Sequence, residues 1–217
     1  MGKRSANSTS NQKPVVAPLE PAAAYEATMA IIQRRFLAIA NKPDDETALN
    51  RAERVALHVR KIVEGVAYGC LSGVEHRNQQ TLKDQRSKDA DKLLSWLKAK
   101  NLLKLPAAQR LEPPPSPEFK MVLAGAGIYD LDVDRLNAAY SRASALIHER
   151  HPERLSADGM ALELAAIEQD AEQLRSWLWL HTMFLRGEAF LVQMGQAGTK
   201  SFMVSLSRQG DLPPEFA

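Results

Sequence analysis

The chain has 217 residues, 45% hydrophobic and 25% charged. That is enough for one domain with a substantial core, and it excludes a disordered polymer. The net charge is +2, unevenly placed: residues 1–110 hold 19 Lys and Arg against 11 Asp and Glu, and residues 111–217 hold 9 against 15. A basic half suits a polyanion such as RNA, or the acidic half of a second subunit. The single cysteine, Cys70, excludes an internal disulfide, and no Cys/His cluster has metal-ligand spacing. Cys70 lies in an apolar helical stretch and reads as a core residue. No stretch reaches the ~18 apolar residues of a membrane helix. Met-Gly-Lys-Arg is followed by polar residues, not the apolar region of a secretory signal. Ala6 stands where a myristoylation signal needs Ser or Thr. The expectation is a cytoplasmic chain with no membrane partner and no bound metal or cofactor.

Residues 1–18 are polar, end in prolines and read as a flexible tail. Residues 19–217 read as one helical domain. From Pro21, the spacing of Tyr25, Met29, Ile32, Phe36 and Ile39 predicts a helix, ended by Asn41-Lys42-Pro43. Asp44 or Asp45 is the expected cap of the next helix. That helix has the strongest pattern in the chain, with Ala52, Val55, Val59, Ile62, Val63, Val66, Ala67, Cys70, Leu71 and Val74 on one broad face. Gly65 and Gly69 within it suit the close approach of another helix, and Arg60 and Glu64 are spaced to pair. Residues 76–88 carry no apolar periodicity. Ala90 to Leu103 is helical again. The proline-rich stretch from Pro106 to Gly127 reads as a long connection, with short extended pieces around Lys120 to Leu123. Asp132 or Asp134 caps a helix running to about Arg150, before Pro152. Ala161 to Leu185 reads as the last helix, with His181 on its apolar face. Two β-prone runs, Ala189–Met194 and Ser201–Leu206, flank Gly195-Gln-Ala-Gly198 and predict a hairpin over about 188–207. The expected fold is mainly α: a bundle of about five helices with a small C-terminal β-hairpin.

Few constellations carry chemistry. Asp130, Asp132 and Asp134 alternate as in a calcium loop, but Arg135 and Ser141 stand where that loop needs Gly and Glu, so helix capping is the expected role. Gly125 and Gly127 lack the third glycine of a dinucleotide site. His58, His76, His148, His151 and His181 show no metal-binding spacing, and no serine lies in a G-x-S-x-G turn. The stretch from Leu136 to Pro152 is more suggestive. Arg142 precedes His148 by six positions near a helix end. Arginine offers a fixed fork of donors for a phosphate, and histidine exchanges protons near neutral pH. Together they suffice for RNA cleavage by attack of the 2′-hydroxyl. On one helix the two side chains point roughly 120° apart and about 9 Å along the axis. Two chains packed through this helix would bring two Arg–His sets into one cleft.

The spacing R-x5-H in a helical chain resembles the R-x4–6-H motif of HEPN-domain proteins. The stretches YSRASALIHERHP and ALHVRKIVEGVAYGCL are similar to a helix ending and the long core helix of that family, over about residues 20–185. The resemblance implies a metal-independent endoribonuclease, or an RNase-derived toxin or defence effector, acting on RNA as a homodimer. It implies Arg142 as the phosphate contact and His148 as the acid or base, with Tyr140 or Ser144 assisting. Many active members carry a polar residue directly after the arginine, where this chain has Ala143. With the mild net charge, Ala143 favours the alternative: a non-catalytic helical dimerisation or binding module, sensor-like or antitoxin-like, with an unidentified protein partner.

Overall fold

The computed structural model describes residues 20–74, 88–113, 122–148, 156–195 and 202–206. The expected tail over 1–18, the polar stretch 76–87, Pro114 to Pro117, Glu149 to Pro152 and the turn between Gly195 and Phe202 lie outside them. The described residues form five α-helices and five strands. The helices share one continuous hydrophobic core with an antiparallel sheet.

Helix α1 (Pro21–Ala40) begins on proline, whose fixed φ suits a first turn. It buries Tyr25, Met29, Ile32 and Phe36, as the spacing predicts. Pro43 disfavours helical geometry at the residue before it, and the chain leaves α1 at Asn41 in extended conformation. Helix α2 (Ala48–Ser72) is the centre of the molecule, packed against α1 and the three other helices. Its cap is Thr47, whose hydroxyl accepts the Asn50 N–H at 3.2 Å, not Asp44 or Asp45. Arg54 fastens the α1–α2 joint: it grips the Glu46 carboxylate at 2.6 and 2.7 Å and donates to the Ala38 carbonyl near the end of α1. Cys70 is buried, and burial pushes its thiol up to about 12, which keeps it protonated.

Helix α3 (Ala90–Ala99) buries Leu93, Leu94 and Leu97 and stops earlier than the expected Leu103. Asn101 takes a left-handed φ of 55°. The Leu102 N–H then bonds back to Leu97 O, and the Asn101 N–H to Lys98 O, a Schellman ending. Helices α4 (Val133–His148) and α5 (Ala157–Leu178) complete the layer. Asp132 caps α4 by accepting the Arg135 N–H at 2.8 Å.

The sheet is larger than one hairpin. Strands β1 (Ala107–Glu112), β2 (Val122–Gly125), β3 (Leu180–Leu185), β4 (Glu188–Gln193) and β5 (Phe202–Leu206) run antiparallel in the order β2-β1-β3-β4-β5. The expected β4–β5 hairpin is present, in register from Ala189↔Leu206 to Gln193↔Phe202. Two readings are corrected. The proline-rich connection contains β1, which was not expected, paired with β2, which overlaps the extended piece expected around Lys120 to Leu123; the prolines stand outside both strands. The last helix ends at Leu178, and His181 sits on β3. His181 to Leu185 alternates as a strand does, and Arg186-Gly187, with φ of 49° and 86°, supplies the two-residue turn that pairs β3 with β4. Helix periodicity masked that alternation because Leu174, Leu178, His181 and Leu185 also recur at three- and four-residue steps.

On one face of the sheet His181, Met183, Leu185, Phe190 and Val192 are buried among the helices. His181 Nδ1 lies 2.9 Å from Leu178 O and Nε2 lies 2.8 Å from Tyr25 Oη. A carbonyl only accepts, so Nδ1 carries the proton and Nε2 accepts from the tyrosine hydroxyl. Burial depresses His181 to about 4 and holds the Tyr25 phenol well above its ordinary value.

The glycines of α2 allow this joint. A Cβ on Gly69 would sit 2.9 Å from Tyr25 Cε2, and one on Gly65 would sit 3.0 Å from Ile32 Cδ1. Alanine gains about 1 kcal/mol of helix propensity, but overpacking a fixed ring costs about 1–3 kcal/mol. Gly69→Ala should lower stability more than Gly65→Ala, because the rigid Tyr25 ring is pinned by His181, whereas a Cβ at 65 meets only the Cγ1–Cδ1 arm of Ile32, which can turn about χ2. Urea midpoints in the reverse order would remove this account. The buried imidazole gives a pH dependence. Its folded pKa lies below its unfolded one, so stability is full above pH ~6.5 and is lost as pH falls toward 4. Between pH 7.5 and 5 the wild type should lose about 2 kcal/mol more than His181→Gln. Equal losses in urea titrations at the two pH values would refute it.

Candidate functional site

Helix α4 presents Tyr140, Ser144 and His148 at four-residue steps, so they share one side of it. Opposite them stand Arg60 and Glu64 of α2, one turn apart. Arg60 is the hub. Its Nη1 lies 2.9 Å from His148 Nε2, its Nε lies 3.2 Å from Glu64 Oε1, and its guanidinium carbon stands 5.2 Å from the Tyr140 ring centroid. Lys61 Nζ holds the other Glu64 oxygen at 2.7 Å. Arginine has no acceptor, so His148 Nε2 receives this bond through its lone pair, and the proton of the neutral ring belongs on Nδ1.

The electrostatics follow from burial and the cation. Burial raises the Tyr140 phenol, Arg60 pulls it back down, and Glu64 and Asp89 add to the rise. For Arg60, burial works against the charge, but Tyr140 and Glu64 outweigh it and hold the guanidinium more firmly protonated than usual. The cluster combines a fixed cation, an exposed imidazole with its basic nitrogen turned toward that cation, and a tyrosine beneath it. These are groups suited to gripping a phosphate and moving a proton.

Arg142 is placed elsewhere. It reaches α5, where its Nε lies 3.1 Å from Asp170 Oδ2. The carboxylate is mostly buried, with 14% of its side chain exposed against 41% for Arg142. Burial raises the Asp170 carboxyl, and Arg142 opposes the rise. The two side chains of the R-x5-H spacing therefore meet different neighbours, His148 on α2 and Arg142 on α5, as the helical angle between them requires. Ser144 points its hydroxyl inward, and among the described residues Oγ has no hydrogen-bond partner. Arg60 is the residue the sequence reading missed. Its signal was its position on the edge of the apolar face of α2, one turn before Glu64, but nothing in the spacing linked it to a histidine 88 positions away.

The other candidates resolve into structure. Asp130 Oδ1 accepts the Ala108 N–H at 2.7 Å, Asp132 caps α4, and Asp134 faces Lys98 at 4.0 Å. His58 is partly buried and its imidazole is depressed by that burial and by Arg35 and Arg54. His76 and His151 lie outside the described residues. Among the described residues no three His, Cys, Asp or Glu side chains converge, and no helix is long and apolar enough to cross a membrane. Comparison with known proteins finds no family model, no curated protein and no solved structure that matches the chain.

Proposed function

We propose that the chain is a HEPN-like, metal-independent endoribonuclease of the toxin or defence type, acting as a homodimer through the α2–α4 face. The observation that supports this reading is the 2.9 Å contact between Arg60 and His148, a phosphate-binding side chain held against an acid–base side chain by two different helices. In the reaction, neutral His148 takes the proton of a 2′-hydroxyl. The freed oxygen attacks the adjacent phosphorus, and the bond to the 5′-oxygen breaks. A protonated His148 of the second copy returns a proton to that oxygen, leaving a 2′,3′-cyclic phosphate. Arg60 turns its fork from His148 to the phosphate and offsets the charge that develops there. Tyr140 supports the guanidinium from below, and Ser144 lies between it and His148 on the helix. Arg142, first expected at the phosphate, becomes a positioning residue that ties α4 to α5 through Asp170.

A second reading has its own support. Arg142 is engaged by Asp170, and Ala143 is fully buried. Both suit a helical dimerisation or binding module that does no chemistry.

Purified protein incubated with mixed RNA in EDTA separates the two. Wild type should cleave. His148→Ala should lose about 10²–10⁴-fold in rate, the usual contribution of an acid–base group. Because His148 is exposed, helical content should not change. Arg60→Lys, which keeps the charge but not the fork, should also be strongly impaired, whereas Arg142→Lys should retain most activity. Wild type without cleavage, or His148→Ala as active as wild type, would leave the binding module as the reading.

A further inference from the structure

A cleft of about 400 Å³ opens where β1, the turn Gly127–Tyr129 and the junction of α5 with β3 meet. It shares no residue with the Arg60–His148 cluster, and its volume lies within the ~300–1,000 Å³ range of small-molecule sites. Its chemistry is uneven in an informative way. Arg110 and Arg175 line it, and no Asp or Glu does. The acidic partners stand outside the lining. Glu112 bonds Arg110 Nη2 at 2.5 Å, and Glu172 bonds Arg175 Nε and Nη2 at 2.9 and 2.6 Å. These exposed pairs contribute little to stability, but they aim each fork and use one or two of its five donors. Two aromatic side chains, Tyr129 and Trp179, join the arginines, and Gln109, Ser176 and Gln193 complete the polar lining.

The walls are fixed in place. The turn bearing Tyr129 is latched to β1 by the Ala126 N–H to Ala108 O bond at 2.9 Å and by Asp130. Tyr129 nonetheless remains 47% exposed, although aromatic rings are usually withdrawn from water. Trp179 is held by its carbonyl, which accepts the Met194 N–H at 2.9 Å. Gln109 donates from Nε2 to Thr182 Oγ1 at 3.2 Å, which leaves its oxygen as an acceptor.

We propose that this cleft binds a nucleoside phosphate, with the base against Tyr129 and Trp179 and the phosphate on Arg110 and Arg175. Stacking on aromatic faces and arginine forks is the combination that a planar base joined to an anion requires. A simple anion would leave the aromatic side chains unused, and an uncharged planar molecule would leave the two guanidinium groups unused. The same chemistry is carried by a free mononucleotide and by a nucleotide within a strand.

Calorimetry and tryptophan fluorescence test this with AMP, adenosine, inorganic phosphate and an oligodeoxyadenylate hexamer, which a 2′-hydroxyl mechanism does not cut. AMP should saturate the wild type and quench Trp179, with adenosine and phosphate each weaker by about tenfold or more. Saturation by the hexamer without AMP would place the source in a strand, with the same cleft chemistry. Tyr129→Ala and Arg175→Ala should each weaken binding by about tenfold or more, with unchanged circular dichroism. His148→Ala should bind as wild type does, whether or not it cleaves RNA, so the cleft and the proposed nuclease site can fail separately. Absence of saturation by both AMP and the hexamer would overturn the proposal. So would phosphate binding as tightly as AMP, or wild-type affinity in both cleft variants.

Discussion

The bond between Tyr25 and His181 is the joint on which the two layers turn. It connects residues 156 positions apart, one on the first helix and one on the central strand of the sheet. Both groups are almost wholly buried, so neither has water to fall back on. A buried donor or acceptor without a partner costs about 1–3 kcal/mol, and each side chain here removes that cost for the other. The geometry also requires α1 to lie close to α2, which is why position 69 is a glycine. Packing, hydrogen bonding and imidazole protonation are therefore one constraint. Displacing the ring of Tyr25 removes the partner of a histidine that cannot readily ionise where it stands.

The helical half of this arrangement was legible because its information is local. The apolar spacing of Tyr25, Met29, Ile32 and Phe36 is a property of twenty consecutive residues, and so is the broad face of α2. The closeness implied by Gly65 and Gly69 could be read, but not the ring that occupies it. The sheet was read in part. The β4–β5 hairpin has glycine punctuation between two β-prone runs. The β3–β4 turn rests on an arginine in the left-handed region, a residue with no intrinsic preference for it. Strand β2 overlaps the apolar extended piece expected around Lys120 to Leu123, but β1 carries little hydrophobic signal of its own: Arg110 and Leu111 are exposed, and β1 gains its place through pairing with a strand some seventy residues further along.

The candidate site shows the same division. His148 and Tyr140 were legible because they share a helix with the motif that drew attention to them. Their partner Arg60 was not, since its relation to them exists only after α2 and α4 pack. Arg142 illustrates the converse. A sequence spacing can match a pattern while the helix turns the side chain away, here to a buried carboxylate on α5. The electrostatic consequence is a division of labour between the two arginines. Arg60 stands beside the imidazole and the phenol, and Arg142 secures the frame that carries them.

The connection between β1 and β3 has a further consequence for how the chain reaches its native state. The two strands pair through Ala107↔Thr182 and Ala108↔His181, a short register joining the β1–β2 pair to the β3–β4–β5 meander. Nearby, Trp177 Nε1 donates to Pro106 O across 71 positions. Each outer pair can zip locally, but this seam closes a loop that contains β2, α4 and α5, and its entropic cost must be met before any contact repays it. The seam is therefore the costliest pairing of the sheet to close by itself, and the indole of Trp177 ties it to the end of α5.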